Sequence, residues 1–329
     1  MTLACCLVVN PAAGGGRATR LLPSVTGVLD DAGVKHQVCA SASLEHAKEL
    51  AVAAAGRGEV AVAVGGDGMV GALAGAVAGA DGVFGIIPAG RGNDFARTLG
   101  IPFGLADAAR LLAGGRERRV DLIGVGRVGA GGAASAADEV VVAGSVYLGI
   151  PAVAAELASR SRVPGGLAYP VGALRAVFGW RAATFRLELE GGPGRANGSG
   201  GSGPEETGAG GGASVLKFSG SAVVVANSRY FGAGMMVAPQ ADASDGLLDL
   251  VFFRDGPKNA MIRGLVKIKH GTHVSMAQVG TGRAAAVTVM TGSAMPGGAD
   301  GETLACARPL DAGASLRIRV LPGALRIIS

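Results

Sequence analysis

The chain has 329 residues, of which 49% are hydrophobic, only 4% are aromatic and 58 are glycine. This length exceeds one ordinary domain and predicts two lobes. Thirty Lys and Arg residues against 25 Asp and Glu give a net charge of +5, but without the dense basic runs that nucleic-acid-binding proteins carry, so that class is excluded.

The N-terminal part alternates buried strands with helices. Strands are predicted at Leu3–Val9, Val34–Cys39, Glu59–Val64 and Val83–Ile87, and helices at Thr19–Asp31, Ser43–Ala55 and Met69–Ala80. Near-continuous apolar strands that alternate with helices indicate a parallel sheet covered on both faces. Ligands bind beyond the carboxyl ends of such strands. Three Gly-rich turns, within 10–17, 65–68 and 88–97, fall at that edge.

From about residue 123 the pattern changes to strands separated by turns. These runs are Val140–Val146, Thr184–Glu190, Leu216–Ala226, Leu248–Phe253, Ala285–Val289 and Ser315–Val320, with helices near Ala152–Ser161 and Val171–Phe178. The succession predicts a mostly antiparallel second lobe. We therefore expect an α/β domain at 1–122, a β-rich domain at 123–320, a flexible Gly-rich insertion at 191–213, and a final segment, 321–329, that packs back on the first lobe.

Cysteine usage and the N-terminus favour the cytoplasm. Four cysteines fall at no metal-ligand spacing, which is typical of reduced core thiols in a cytosolic protein. Met1 leads directly into the first strand, so no signal peptide is predicted. The apolar stretch Met69–Ile87 is interrupted by Asp81 and Gly82, so it is interpreted as a buried helix followed by a buried strand and not as a membrane span.

The stretch Glu59–Gly75 is the most informative in the chain. Its strand stops at Gly65-Gly66-Asp67-Gly68, and a helix starts directly afterwards. Backbone N–H groups and the positive end of a helix dipole meet at such a loop, where a phosphate can bind. Gly66, Gly68 and Gly71 match the dinucleotide fingerprint, but the Asp67 carboxylate would repel a pyrophosphate. A metal–triphosphate suits this loop better.

Several further motifs follow in order along nearly the whole chain. They are Asn10-Pro11, Ile87–Arg97, Arg119–Leu122, Ala226–Gly234, Ala238-Pro239, Asp245–Asp249, Asp300–Glu302 and Leu321–Leu325. Together with Gly65–Gly68, this set resembles the diacylglycerol kinase catalytic-domain family of bacterial lipid kinases, which are relatives of sphingosine kinases. The resemblance implies an ATP-binding α/β lobe, a β-sandwich lobe, and an active site between them.

The resemblance also implies the activity and the site residues. It predicts transfer of the γ-phosphate of ATP to a lipid hydroxyl, with diacylglycerol giving phosphatidic acid as the first expectation. Glu302 would be the general base, and Asp67 would organise a catalytic Mg²⁺ together with Asp94. The predicted nucleotide-binding residues are Asn10, Pro11, Ala12, Ala13, Gly14, Ser41, Gly65, Gly66, Asp67, Gly68, Gly71, Arg91, Asn93 and Asp94. A structural Mg²⁺ is expected at Asp242, Asp245 and the carbonyl of Leu247.

The implied partner is a lipid at the inner face of the membrane, with the protein cytoplasmic and peripheral. A homodimer is left open. A basic stretch that includes Arg263, Lys267 and Lys269 is interpreted as a charged helix face that can also lie against anionic headgroups.

Two positions depart from the family pattern. Met69 and Arg91 each stand where the family usually has Thr. Met69 removes a hydroxyl, whereas Arg91 adds a cation that can pair with the triphosphate, with Asp94 or with Asp67. The departures leave the identity of the phosphoryl donor open, and two alternatives to a lipid kinase also stay open. One is NAD kinase, which shares the Gly-Gly-Asp-Gly loop, and the other is a relative that binds nucleotide or lipid without turnover.

Overall fold

The computed structural model describes residues 3–11, 17–128, 139–161, 168–192, 207–209, 213–304 and 310–329. Most of the predicted insertion at 191–213 lies outside these residues. Within it, Thr207–Ala209 forms a short strand that pairs with the start of a long strand at Ala213–Val215.

The first lobe is the predicted parallel sheet with helices on both faces. Its strands are β1 (Ala4–Val9), β2 (Lys35–Ala40), β3 (Val60–Gly65) and β4 (Val83–Pro88), in the spatial order β2-β1-β3-β4. Its helices are α1 (Arg17–Asp31), α2 (Leu44–Gly56), α3 (Asp67–Gly79), α4 (Asp94–Thr98) and α5 (Leu105–Gly114). α1 packs with α5 and α2 packs with α3. β1 and β3 are buried along almost their whole length, as strands covered on both faces must be.

The second lobe is the predicted antiparallel β-sandwich. Its strands are β5 (Glu117–Val128), β6 (Val140–Val142), β7 (Ser145–Gly149), β8 (Ala183–Glu190), β9 (Thr207–Ala209), β10 (Ala213–Ala226), β11 (Tyr230–Phe231), β12 (Met235–Met236), β13 (Leu248–Arg254), β14 (Val279–Ala284), β15 (Ala286–Thr291), β16 (Gly297–Ala299), β17 (Glu302–Thr303) and β18 (Ser315–Ile328). Three helices, α6 (Ile150–Ser159), α7 (Ala168–Gly179) and α8 (Lys258–Ile268), pack on one another and cover one side of it.

Two long strands join the lobes. β5 and β18 pair antiparallel from Ser315↔Val128 to Ile328↔Glu117, with one irregularity between Leu321 and Leu325. The far end of β18 then pairs in parallel with β4 of the first lobe. β5 therefore runs through the predicted boundary at 122/123, and the final segment lies on the first lobe.

One predicted strand is divided in two. Val140–Val146 was expected to be continuous, but β6 ends at Val142 and β7 starts at Ser145. The intervening turn presents the N–H groups of Ala143, Gly144 and Ser145 to the carboxylate of Asp300. A side chain distant in sequence therefore provides the hydrogen bonds that replace a continuous ladder.

Within the described residues, every helix is too short or too polar to cross a bilayer. The stretch predicted to be a buried helix and a buried strand, Met69–Ile87, folds as most of α3 followed by β4.

Asp121 ties the strand that joins the lobes to two loops. It is buried on β5, and its two carboxylate oxygens accept the backbone N–H groups of Gly246 and Gly323 at 2.8 and 2.7 Å. Its own carbonyl accepts the Asn227 amide at 2.7 Å. Gly323 lies inside the β18 irregularity, at a φ of 56°.

We expect Asp121→Ala to lower the free energy of unfolding by about 2–4 kcal/mol, because it leaves two backbone donors without their acceptor. Urea denaturation measures the change. Asp107→Ala is the matched control, because Asp107 forms an exposed ion pair with Arg110 whose loss costs about 0–1 kcal/mol. Equal losses in the two variants would contradict the role given to Asp121.

Candidate functional site

The predicted nucleotide-binding residues gather at one edge of the parallel sheet. Asn10 follows β1, Ser41 follows β2, Gly66 follows β3 and Ala89 follows β4. Ser41 is buried, and its hydroxyl donates to the carbonyl of Val9 at 3.2 Å. Ala12, Ala13 and Gly14 lie outside the described residues.

The loops after β3 and β4 touch through their backbones. The Ala89 N–H donates to the Gly65 carbonyl at 2.9 Å. A Cβ added to Gly90 would lie 2.3 Å from the Cα of Gly66, far inside van der Waals contact. Glycine is therefore required at Gly90 by close approach, and the two Gly-rich turns form one continuous backbone surface.

Asn93 shapes the second loop. It adopts the left-handed conformation at a φ of 53°, which Asn tolerates better than most residues. Its amide exchanges two hydrogen bonds with the backbone of Gly90, at 3.0 and 3.1 Å. This local clamp turns the chain so that α4 starts directly at Asp94.

Asp67 links the two loops. Its Oδ1 accepts the N–H of Asp94 at 2.6 Å and that of Phe95 at 3.4 Å, so it caps α4 from another element. Burial raises the pKa of the Asp67 carboxyl, although these N–H donors lower it. A Cβ at Gly92 would lie 2.7 Å from Asp67 Oδ2, so Gly92 leaves room for this carboxylate.

Asp94 connects the first lobe to the second. Its carboxylate accepts the N–H groups of Ala233 and Gly234 at 2.9 and 2.7 Å. Burial, followed by the negative charge of Asp67, raises the pKa of Asp94 to about 6. Arg97 lies near this junction, with its guanidinium over the rings of Phe103 and Tyr230.

The turn at Asp300–Glu302 brings the predicted base to the first lobe. Asp300 accepts three N–H groups from the 143–145 turn at 2.8–2.9 Å, and Gly71 of α3 would meet its Oδ2 at 2.8 Å if it carried a Cβ. Glu302 is exposed, and its Oε1 lies 3.2 Å from the position of a Cβ on Gly68. The structure therefore brings Glu302 beside the loop that contains Asp67.

Asp300 is ionised less readily than an ordinary aspartate. Burial raises the pKa of its carboxyl to about 6, the three N–H donors lower it, and the charge of Asp67 adds to the rise. The charge of Asp67 thus raises the pKa of two further carboxyls, Asp94 and Asp300, near the first turn of α3.

The two departures from the family pattern have distinct surroundings. The Met69 side chain folds over Gly65, where its Sδ would lie 2.8 Å from an added Cβ. Arg91 is exposed, and in the described part of the chain it forms no ion pair with Asp94 or Asp67. Gly71 faces Asp300 across the lobes, so packing accounts for a glycine there.

The predicted structural metal position contains a guanidinium. Asp242 accepts the N–H and hydroxyl of Ser244, and Asp245 Oδ1 accepts the Leu247 N–H. Asp245 also pairs with Arg283, whose Nε lies 3.5 Å from Asp249 Oδ2. Among the described residues, no three acidic, His or Cys side chains converge as a metal cluster. As placed, these groups do not fit a bound Mg²⁺, because Arg283 already neutralises Asp245.

Three contributors to this region received no role from the sequence. They are Asp300, Asn227 and Arg283. Asn227 is buried, and its side-chain amide donates to the carbonyls of Asp121 and Ala143 at 2.7 and 3.0 Å. Asp300 directly precedes Gly301 in a turn and has a φ of 47°. In the sequence, this Asp-Gly pair was the one local signal that the Asp300 side chain forms hydrogen bonds.

Comparison with known proteins identifies relatives along the whole chain. The family model described as the diacylglycerol kinase catalytic domain matches residues 4–125, and the YegS C-terminal NAD kinase beta sandwich-like domain matches residues 144–329. Proteins named diacylglycerol kinase from two strains of Mycobacterium tuberculosis are 31% identical over 327 residues, which covers 98% of this chain and 93% of theirs.

Solved structures show the same fold. A chain described as a diacylglycerol kinase from Bacillus anthracis strain Sterne aligns with a TM-score of 0.65 at 17% identity, covering 99% of this chain and 96% of that one. A second chain from the same organism aligns with a TM-score of 0.68 at 20% identity, with the same coverage.

The raised pKa values of Asp94 and Asp300 predict that the stability of the protein depends on pH. Asp94 and Asp300 bind a proton more tightly in the folded protein than in the unfolded chain, so their contribution to stability is complete below pH 3.8 and is lost as the pH rises through about 6. We expect Asp67→Asn to flatten this decline, since it removes a charge that raises both pKa values. Urea denaturation from about pH 4 to pH 7 measures it. The exposed variant Asp31→Asn serves as the control, and identical slopes for wild type and Asp67→Asn would refute the coupling.

The Arg283 guanidinium at the predicted metal position allows a prediction of how thermal stability responds to chelation. We expect the thermal midpoint of the nucleotide-free wild type to be unchanged by EDTA. Arg283→Gln should lose about 1–3 kcal/mol of stability, because Asp245 and Asp249 lose their counter-ion, and Mg²⁺ should restore part of that loss. A wild-type midpoint that falls on chelation would show instead that a metal stabilises this loop.

Proposed function

The chain belongs to the diacylglycerol kinase family, and from this we propose that it transfers the γ-phosphate of ATP to the hydroxyl of a lipid, with diacylglycerol as the first candidate acceptor. The observation that carries the proposal is the position of Glu302, a carboxylate from the second lobe that lies beside Gly68 of the Gly-rich loop. A general base and a phosphate-binding backbone then face the same space between the lobes.

The reaction needs one proton acceptor and much positioning. The lipid hydroxyl oxygen forms a bond to the γ-phosphorus while the bond from that phosphorus to the β–γ bridging oxygen breaks. The hydroxyl proton passes to the Glu302 carboxylate, and ADP leaves. Glu302 is exposed, as a base that must reach an incoming substrate has to be. Asp300 supports it by fixing the turn from which it projects.

The Gly-rich surface supports ATP as the donor. The first turn of α3 starts at Asp67, so its N–H groups have no partners within the helix and can face a phosphate. ATP is bound in cells as its Mg²⁺ complex, and Asp67 is the carboxylate of this loop that would hold the cation, which would neutralise charge on the triphosphate. Arg91 is exposed beside the same surface and adds a cation for the triphosphate, where the family's usual Thr would offer a hydroxyl.

An apolar cavity in the second lobe supports a lipid acceptor. It encloses about 800 Å³ of space, a figure that includes its open mouth, and most of its lining residues are apolar. Phe231 and Tyr169 line it, with ring centroids 5.9 Å apart. Phe231 also contacts Tyr147 at 4.5 Å, and Tyr147 pairs with Gly298 in the strand that leads to Glu302. Tyr147 thus connects the wall of the cavity to the strand that precedes Glu302.

The direct test is a phosphorylation assay with labelled ATP and a lipid extract, followed by identification of the product by mass. Parallel reactions contain purified diacylglycerol or NAD. Labelled lipid without labelled NADP would support the proposal. Labelled NADP would establish the NAD kinase alternative, and ATP binding without transfer to any acceptor would establish the non-catalytic one.

Glu302→Gln should lower kcat by about 10²–10⁴-fold, the typical contribution of a general base. Its stability and ATP affinity should be retained, because the Glu302 side chain is exposed. Asp67→Asn should lower kcat as well. Steady-state kinetics and calorimetric ATP titration separate these effects, with exposed Glu49→Gln as the control. Wild-type turnover in both site variants would remove Glu302 and Asp67 from the mechanism.

A further inference from the structure

The outer faces of α7 and α8 expose large apolar side chains. Phe178 and Val266 are 62% and 69% exposed, the highest values among the exposed large apolar residues of the described chain, and Leu174 is 42% exposed. The inner faces of both helices are packed: Ala173, Val177 and their neighbours form a cluster with Met261 and Leu265. The exposed residues therefore belong to helices whose core-facing sides are already packed against each other.

The same surface is basic. Exposed cations follow the two helices and the link after α7, namely Arg175, Arg181, Lys258, Arg263, Lys267 and Lys269. α7 and α8 contain no Asp or Glu. Lys258 donates to the carbonyls of Val177, Phe178 and Trp180 at 2.5–3.3 Å and so joins the end of α7 to the start of α8. The other five cations form no salt bridge within the described residues.

This surface lies directly over the apolar cavity. Ala173 and Val177 of α7 and Met261, Gly264 and Leu265 of α8 line that cavity from its outer side. A lipid that leaves a bilayer in contact with α7 and α8 therefore needs to cross only the thickness of these helices to reach the apolar walls of the cavity. The basic charge, the exposed apolar side chains and the cavity are three separate properties of the same two helices.

We propose that the outer faces of α7 and α8 form a docking surface for an anionic lipid bilayer, with Leu174, Phe178 and Val266 entering the interface and the surrounding cations contacting acidic headgroups. Interfacial helices bind in this way, through apolar area combined with attraction to anionic lipid. The complementary charge selects a membrane over a second copy of this chain, whose corresponding surface carries the same positive charge. The route from bilayer to cavity rests on the proposed lipid kinase function, whereas the docking itself does not.

The test is co-sedimentation of the full chain with vesicles of phosphatidylcholine alone or mixed with phosphatidylglycerol. Wild type should bind only the anionic vesicles, and salt should weaken binding. Phe178→Ser/Val266→Ser and Arg263→Glu/Lys267→Glu should each reduce binding by about tenfold or more. Val52→Ser, an exposed apolar residue on the first lobe, and Lys35→Glu are the matched controls and should bind like wild type.

Thermal midpoints and circular dichroism establish that each variant is folded, and phosphorylation of a detergent-dispersed acceptor gives an independent readout. Variants that lose vesicle binding but phosphorylate dispersed lipid support docking by α7 and α8. Folded variants that bind anionic vesicles like wild type overturn it. A concentration-dependent dimer abolished by Phe178→Ser/Val266→Ser would also overturn it, by identifying the surface as a self-association site.

The two proposals fail separately. Vesicle binding that maps to α7 and α8 in a protein without lipid turnover leaves the docking surface in place and removes the kinase. Lipid turnover by a protein whose docking variants bind vesicles like wild type removes the docking surface and leaves the kinase in place.

Discussion

Buried carboxylates that accept backbone N–H groups from distant loops are the interaction on which this structure depends. Asp94 binds Ala233 and Gly234, Asp121 binds Gly246 and Gly323, and Asp300 binds the 143–145 turn. Charge-assisted hydrogen bonds of this kind are stronger than neutral ones. Each one fixes a loop that the Gly-rich sequence would otherwise leave mobile, and two of them fix the loops that border the candidate site.

The same arrangement brings negatively charged carboxyls close together, which is electrostatically unfavourable. Asp67, Asp94 and Asp300 lie close enough that the charge of Asp67 raises the pKa of the other two. A cluster of negative charge beside free helix N–H groups is poorly balanced without a ligand and suits one that brings both phosphate and a cation. The clustered carboxyls that lower the stability of the protein on its own are therefore the ones that would favour a metal-bound triphosphate.

Much of the first lobe was predictable because its signals are local. Apolar strands, helix periodicity and Gly-rich turns each appear within a few residues, so the order of elements and the sheet edge at which the Gly-rich turns lie followed from the sequence. The division of Val140–Val146 was not predictable, since it depends on Asp300, more than 150 residues away. The pairing of Asp245 with Arg283 was not predictable either, because the two residues are distant in sequence. Glu302 was identified only through the resemblance to a family, because an Asp-Gly-Glu turn alone is an ordinary hairpin. The basic stretch around Lys267 needed the structure to reveal that Phe178, Val266 and an apolar cavity accompany it.

The ladder between β5 and β18 has a mechanical consequence. It crosses from the sandwich into the parallel sheet through one continuous set of paired strands, so a wide hinge opening between the lobes would have to break several backbone hydrogen bonds at once. The irregularity at Leu321–Leu325 is the natural point of twist, but Asp121 clamps it through Gly323. Under the proposed function, a lipid substrate would then enter through movement of the peripheral helices and loops, and the paired strands would hold Glu302 at a nearly constant distance from the Gly-rich loop.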